Sequence, residues 1–309
     1  MLDAVTHALV ASSLFLATGH PELVPFAIVG SVVIDIDILL MRFSKRNPKY
    51  YVFTHGGFTH SICGSLLIAC IAFATVAGVT LTGAGAGLFG AGLGIPGLLA
   101  LLVGSLTHIS CDFLAYPGIP LLYPFTERKY TAGIFAGPSL FLLAVSWTYI
   151  GTLLLSLTTL AEYWVWAAIF LSYIGIKALL KLYVAGTTDG ATIPTSNPLK
   201  WFVIREEHGS YSIQTLHLPK GFTEPRIFPK FRNVDPEEIE PYRHLPEVRR
   251  HSYNSYITTM EKNGETITFC DPFRSEDYMR YPFNHVTVDV ISGKEVPAKP
   301  EGVDGTLKI

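Results

Sequence analysis

Thr54-His55-Gly56-Gly57-Phe58-Thr59-His60-Ser61 joins two apolar runs and carries two histidines five residues apart. The runs on either side, about residues 23–41 and 61–82, are each near the ~20 residues that a membrane helix requires. Imidazoles placed between such runs lie beside hydrocarbon, where a polar side chain is costly unless something binds it. A divalent metal is the usual partner. The plainer reading is a polar interface segment satisfied by water and backbone. What separates the two is the company the segment keeps.

Working outward, further apolar runs fall at about 4–18, 95–114, 134–157 and 162–184. Four or five of the six runs are long enough to span, and the first is short. They predict an α-helical integral membrane bundle of about five to six helices. From Asp189 the chain becomes charged, proline-punctuated and β-like, which predicts a small β-rich soluble domain. The expected division is a membrane-embedded domain over 1–188 and a cytoplasmic β-rich domain over 189–309. In the second part, Asn263-Gly264 between two strand-like runs predicts a hairpin with a type I′ turn.

Composition agrees with this split. The 309 residues are 49% hydrophobic with mean hydropathy +0.36, high for a soluble chain and moderate for one wholly in the membrane. A net charge of −2 offers nothing to nucleic acid. Cys63, Cys70, Cys111 and Cys270 show no CxxC spacing and read as small buried hydrophobes. The start Met1-Leu2-Asp3 lacks a basic segment, so no cleaved signal peptide is expected.

Walking the helices back and forth puts the N-terminus, the 42–60 loop, the 115–133 loop and the tail on one side. Arg42, Lys45, Arg46, Lys49, Arg128, Lys129, Lys177 and Lys181 all fall on or near that side, whereas the links at 19–22, 83–94 and 158–161 carry no Lys or Arg. The positive-inside rule makes it the cytoplasm, with both termini there, in a multi-pass plasma-membrane protein.

The intramembrane polar groups collect at the same face. Asp3 and His7 begin the first run, Asp35 and Asp37 end the second, His55 and His60 occupy the loop, and His108 and Asp112 stand one turn apart at the end of the fourth. Random scatter would have put some at the opposite face. Each pair has a bland explanation, a cap or an intrahelical hydrogen bond. An unpaired charge in a membrane helix costs roughly 2.5–3.5 kcal/mol on insertion scales, so Asp35, Asp37 and Asp112 need partners. Mixed imidazole and carboxylate ligands suit Zn²⁺, with Mn²⁺ or Fe²⁺ as alternatives. Asp35 and Asp37 cannot face one way on a regular helix, so the helix unwinds there or one of them orients a ligand instead of binding.

Thr6, Thr54, Thr59 and Thr107 each precede one of the four histidines, a position suited to orienting hydroxyls. Two local patterns carry no chemistry. Gly85-Ala86-Gly87-Leu88-Phe89-Gly90 matches GxGxxG but follows no strand, and Ser61 beside His60 lacks a nucleophile elbow.

The elements Asp3-Ala4-Val5-Thr6-His7, Asp35-Ile36-Asp37, His55 to Ser61 and His108-Ile109-Ser110-Cys111-Asp112 resemble the YdjM-like family of membrane-bound metal-dependent hydrolases. The likeness spans about residues 1–190, and Pro194-Thr195-Ser196-Asn197-Pro198 with Trp201 resembles the extension of one branch. Ile34 stands where that family often has proline, and Gly56 where it usually has an arginine suited to an anionic substrate. The order His, Asp, His, HxxxD is also similar to the first half of the zinc-dependent phospholipase C and single-strand nuclease superfamily. The second half has no counterpart in residues 113–186, which implies one or two metals and not three.

The sequence therefore predicts a membrane hydrolase acting on a phosphoester or lipid-linked substrate through a metal-activated water. Asp37, His60, His108 and Asp112 are the first ligands expected, His7 and His55 the next, and Asp35 the catalytic group, as base, ligand or orienting carboxylate. The bilayer is the expected partner. The alternatives are a metal-handling or transport protein, which would favour a midplane site and repeated halves, and an anchor that merely displays the tail.

Overall fold

The computed structural model of the chain describes residues 3–276 and 284–296. The helical part runs through α1 (Ala4–Ala17), α2 (Val24–Val33), α3 (Asp37–Arg46), α4 (Ile62–Leu81), the short α5 (Ala86–Phe89), α6 (Ile95–Asp112), α7 (Leu140–Leu154) and α8 (Tyr163–Thr187). Four stretches, Pro21–Arg46, Ile62–Leu81, Ile95–Asp112 and Leu160–Thr187, are long and apolar enough to cross a membrane, while α1 and α7 are shorter. Their outward faces carry exposed Leu67, Ile71, Leu179 and Leu182, as lipid-facing helices do. The apolar run from 134 yields a helix only from Leu140. Its first residues instead pair with the loop behind α6, through Ile134 N–H (2.9 Å) and Phe135 N–H (3.2 Å) to Leu114 C=O.

The chain divides into two compact units, one of Met1–Phe43, Val52–Val203 and Thr215–Thr223, the other of Ser44–Tyr51, Ile204–Gln214 and Glu224–Ile309. In the first unit, α2 and α6 lie backbone to backbone. A Cβ on Gly30 would stand 2.0 Å from the Leu101 carbonyl oxygen, and one on Gly104 2.2 Å from that of Ala27. Small residues permit this approach where lipid supplies no hydrophobic drive between helices. Phe26, Leu101, Ala69 and Ala72 fill one core beside this crossing. Leu9, Leu142, Trp166 and Phe170, with Ala115 and Phe135 of the 113–136 loop, fill the other.

The remaining strands are β1 (Ala191–Pro194), β2 (Lys200–Glu207), β3 (Ser210–His217), β4 (Gly221–Phe222), β5 (Arg226–Pro229), β6 (Phe231–Arg232), β7 (Thr259–Asn263), β8 (Thr266–Cys270) and β9 (His285–Asp289). Short helices α9 (Pro236–Ile239), α10 (Pro246–Asn254) and α11 (Pro272–Glu276) intervene. One sheet has the order β1-β2-β3-β4 with β5 also on β3, the other β6-β7-β8-β9. The unit boundary passes through β2 and β3. In the second unit, Val248 of α10 packs with Ile267, Phe269, Val286 and Val288.

Three local expectations are corrected. Asn263 pairs with Thr266, so the hairpin turns on Gly264-Glu265, one residue later than Asn263-Gly264 suggested. Gly264 takes φ 58° and Glu265 is not in the positive-φ region, the glycine-first pattern of a type II′ turn and not of type I′. Cys63 and Cys70 are exposed on α4 instead of buried. The basic segment Ser44–Tyr51 belongs to the second unit, where Tyr51 meets Tyr253 edge-on at 5.4 Å with Arg249 5.1 Å from its ring centre.

Candidate metal centre

Four helix ends and one loop build the site within the first unit. Between α2 and α3 the helix tightens to a 3₁₀ turn at Ile34–Ile36, so the regular repeat breaks at the carboxylate pair itself. Asp35 and Asp37 then reach opposite edges of one imidazole. Asp37 Oδ2 lies 3.0 Å from His60 Nδ1, and Asp35 Oδ1 lies 3.6 Å from His60 Nε2. The loop between α3 and α4 ends in a second 3₁₀ turn, Phe58–His60. Ser61 follows as the N-cap of α4, its hydroxyl accepting from Gly64 N–H at 2.9 Å. Ser61 is thus a cap.

Asp37 is buried and heavily used. Its Oδ1 meets His55 Nδ1 at 2.8 Å, and its Oδ2 accepts from Gly56 N–H and the Thr59 hydroxyl, both at 3.0 Å. Gly56 has φ 72°, a left-handed conformation that glycine adopts freely. His108 is turned by the close α2–α6 crossing, which sets its Nδ1 2.5 Å from the Ser31 carbonyl oxygen. Sequence offered no signal for Ser31, because the acceptor is a backbone atom. His7 stacks on His108 with ring centres 3.8 Å apart. Both ring nitrogens of His7 are buried without a hydrogen-bond partner among the described residues, although Nε2 lies 3.3 Å from Asp112 Oδ1.

The Nε2 atoms of His60 and His108, Asp35 Oδ1 and Asp112 Oδ2 face one point. Five of the six separations among them are 3.1 Å (His60–Asp112), 3.2 Å (His60–His108), 3.5 Å (His108–Asp112), 3.6 Å (His60–Asp35) and 3.6 Å (His108–Asp35). A tetrahedron with bonds of ~2.0–2.1 Å has edges of about 3.3–3.4 Å, within the spread of these values. His7 with His108 and Asp112, and Asp35 with His55 and His60, also form groups whose ligand atoms lie within 4.8 Å of one another. A divalent cation fits this donor set, and the buried His7, whose ring nitrogens make no hydrogen bond among the described residues, offers it one more imidazole.

His60, His108 and Asp112 are fully enclosed, whereas the side chains of Asp35 (18% exposed) and His55 (33%) open the site. Burial opposes charge on His60, yet Asp112, Asp35 and Asp37 around it outweigh that and hold its imidazole well above the ordinary value.

The threonines that precede the histidines act differently from one another. Thr59 donates to Asp37, Thr107 to the Gly104 carbonyl (2.7 Å), and Thr6 to Asp3 (2.6 Å), the α1 cap. Thr6 also meets the Ser146 hydroxyl, which accepts from Trp166 Nε1, so α1, α7 and α8 are tied behind His7.

Among known proteins, the model of one family, described as YdjM inner membrane protein, matches residues 1–184. No curated protein and no solved structure matches the chain.

Proposed function

Because this chain belongs to the YdjM inner membrane protein family, and its carboxylates and imidazoles meet at one set of helix ends, we propose that it is a membrane-bound metal-dependent hydrolase. The observation that carries this reading is that the Nε2 atoms of His60 and His108, 3.2 Å apart, each lie 3.1–3.6 Å from both Asp112 Oδ2 and Asp35 Oδ1. These four residues would hold one ion. His7, beside Asp112 Oδ1, and His55, beside Asp35, would admit a second. Asp37 is assigned to orientation, because it binds the Nδ1 edges of His55 and His60 and so leaves His60 Nε2 to face Asp35, His108 and Asp112. Asp35 and Asp37 thereby exchange the roles the sequence favoured.

A bound divalent cation supplies Lewis acidity and brings the pKa of water toward neutrality. The residues do the rest. His108 is fixed by the Ser31 carbonyl, and His60 by Asp37. His55, half-open to solvent and held at Nδ1 by Asp37, is placed to carry a proton out through Nε2. The substrate class is a phosphoester or lipid-linked group entering beside Asp35 and His55, and the ion is Zn²⁺ before Mn²⁺ or Fe²⁺.

The test is metal analysis of the full-length protein in detergent, wild type against His108→Ala, with melting temperatures taken with and without EDTA. Retained metal in the wild type alone is expected, with a melting temperature that falls on chelation at pH 7.5. Histidine binds metal only when neutral, so the difference should shrink toward pH 5. A metal-loaded preparation indifferent to EDTA would leave only polar packing. Retained metal without turnover of any phosphodiester would favour a metal-handling protein.

A further inference from the structure

The same unit carries two cations that the metal centre does not use. Lys177 and Lys181 stand one turn apart on α8, on one face of the helix. Lys177 is 4% exposed, so it is buried as deeply as a core leucine. Both ammonium groups lie 5.9 Å from the centre of the Trp201 ring, which is itself fully buried, and Lys181 lies 5.7 Å from that of Tyr116. Lys181 donates to the Thr192 carbonyl (2.5 Å) and hydroxyl (2.6 Å). Among the described residues, neither lysine pairs with a carboxylate, and Lys177 makes no hydrogen bond, its ammonium facing the Trp201 ring.

Two like charges this close, one buried in a helix long enough to cross a membrane, are unfavourable by themselves. A cation–π contact offsets little of that, on the order of 1 kcal/mol each. Buried charges are normally paired, so an anion beside these two lysines would offset that cost. The lysines lie ten and six residues before Thr187, the end of α8, or about 15 and 9 Å along the axis. That is the depth at which long basic side chains reach phosphate headgroups. Two point-charge donors aimed from one face suit a doubly charged, tetrahedral oxyanion.

We propose that Lys177 and Lys181, with Tyr116 and Trp201 as walls, form a phosphoryl-anion site on α8, separate from the metal ligands. Its occupant is either the headgroup of an anionic phospholipid or free phosphate. The site stands whether or not the metal reading does.

Melting curves of the full-length protein in EDTA test it, because chelation removes any phosphate held by a metal. One arm titrates inorganic phosphate in neutral detergent, and the other compares nanodiscs containing phosphatidylglycerol with phosphatidylcholine alone. A rise in melting temperature in the first arm identifies free phosphate, and a rise confined to the second identifies the lipid. Lys177→Met and Lys181→Met should each weaken the response at least tenfold, and Lys177→Arg should keep it. If Lys177→Met raises the melting temperature and leaves the ligand response at wild-type size, the lysines are unpaired helix charges and the proposal is wrong. Native mass spectra of the wild type give a reading without variants: no adduct of phosphate or anionic lipid would also overturn it.

Discussion

Asp37 shows how much one side chain can decide about the orientation of others. Its two oxygens receive His55, Gly56, Thr59 and His60, and so fix the orientation of two imidazoles at once. Asp37→Asn keeps the volume but not two anionic oxygens. It should lower metal affinity about 10–100-fold while the protein stays folded, measured by competition with a coloured chelator. Asp35→Asn, at the inner edge of the same imidazole, should instead abolish stoichiometric binding. Equal losses in the two variants would mean that Asp37 is a ligand. Sequence named both carboxylates and all four histidines, since charged groups in apolar runs stand out. It could not order the two carboxylates, because which edge of His60 each one meets depends on a 3₁₀ turn of three residues.

At the scale of elements, the crossing of α2 and α6 governs the site. Gly104→Leu would drive a side chain into the Ala27 carbonyl, which cannot move as a side-chain end can. The expected cost is about 1–3 kcal/mol from overpacking, with weakened metal retention as the Ser31 carbonyl leaves His108. Gly78→Leu on α4, where no atom lies within 4 Å, is the control and should melt as the wild type does. Hydrophobic run lengths made the helices legible, since spanning a bilayer imposes a length that composition reveals. The hairpin was legible as a hairpin but displaced by one residue, because Asn-Gly and Gly-Glu both supply a glycine and the strand register chose between them. The association of Ser44–Tyr51 with α10 was not legible, because two hundred intervening residues carry no local trace of it.

For the molecule as a whole, the one-sided Lys and Arg distribution leads us to propose that the β-rich part lies on the cytoplasmic side. A cysteine at exposed Glu224, in the β-rich part, tests this against a membrane-impermeant thiol reagent. E224C should react only after the cells are opened; reaction in intact cells would reverse the orientation and put the metal centre on the outer face. The β-rich character of the tail follows from its charged, proline-punctuated composition and hairpin signal, but its strand count does not. The sharing of β2 and β3 between the two units does not, because the cut falls inside single strands.

The α2–α6 crossing also has a consequence for biogenesis. The ribosome delivers Asp35 and Asp37 some seventy residues before His108 and Asp112. During that interval, two carboxylates sit at the end of an already emerged span with no imidazole from α6 to receive them, and no Ser31–His108 bond exists to hold the helices together. Capture of an ion by the proposed four-residue set would therefore be a late event, possible only once residue 112 has cleared the exit tunnel and α6 has slid against Gly30. A nascent chain arrested before that point would offer an ion only the group of Asp35, His55 and His60.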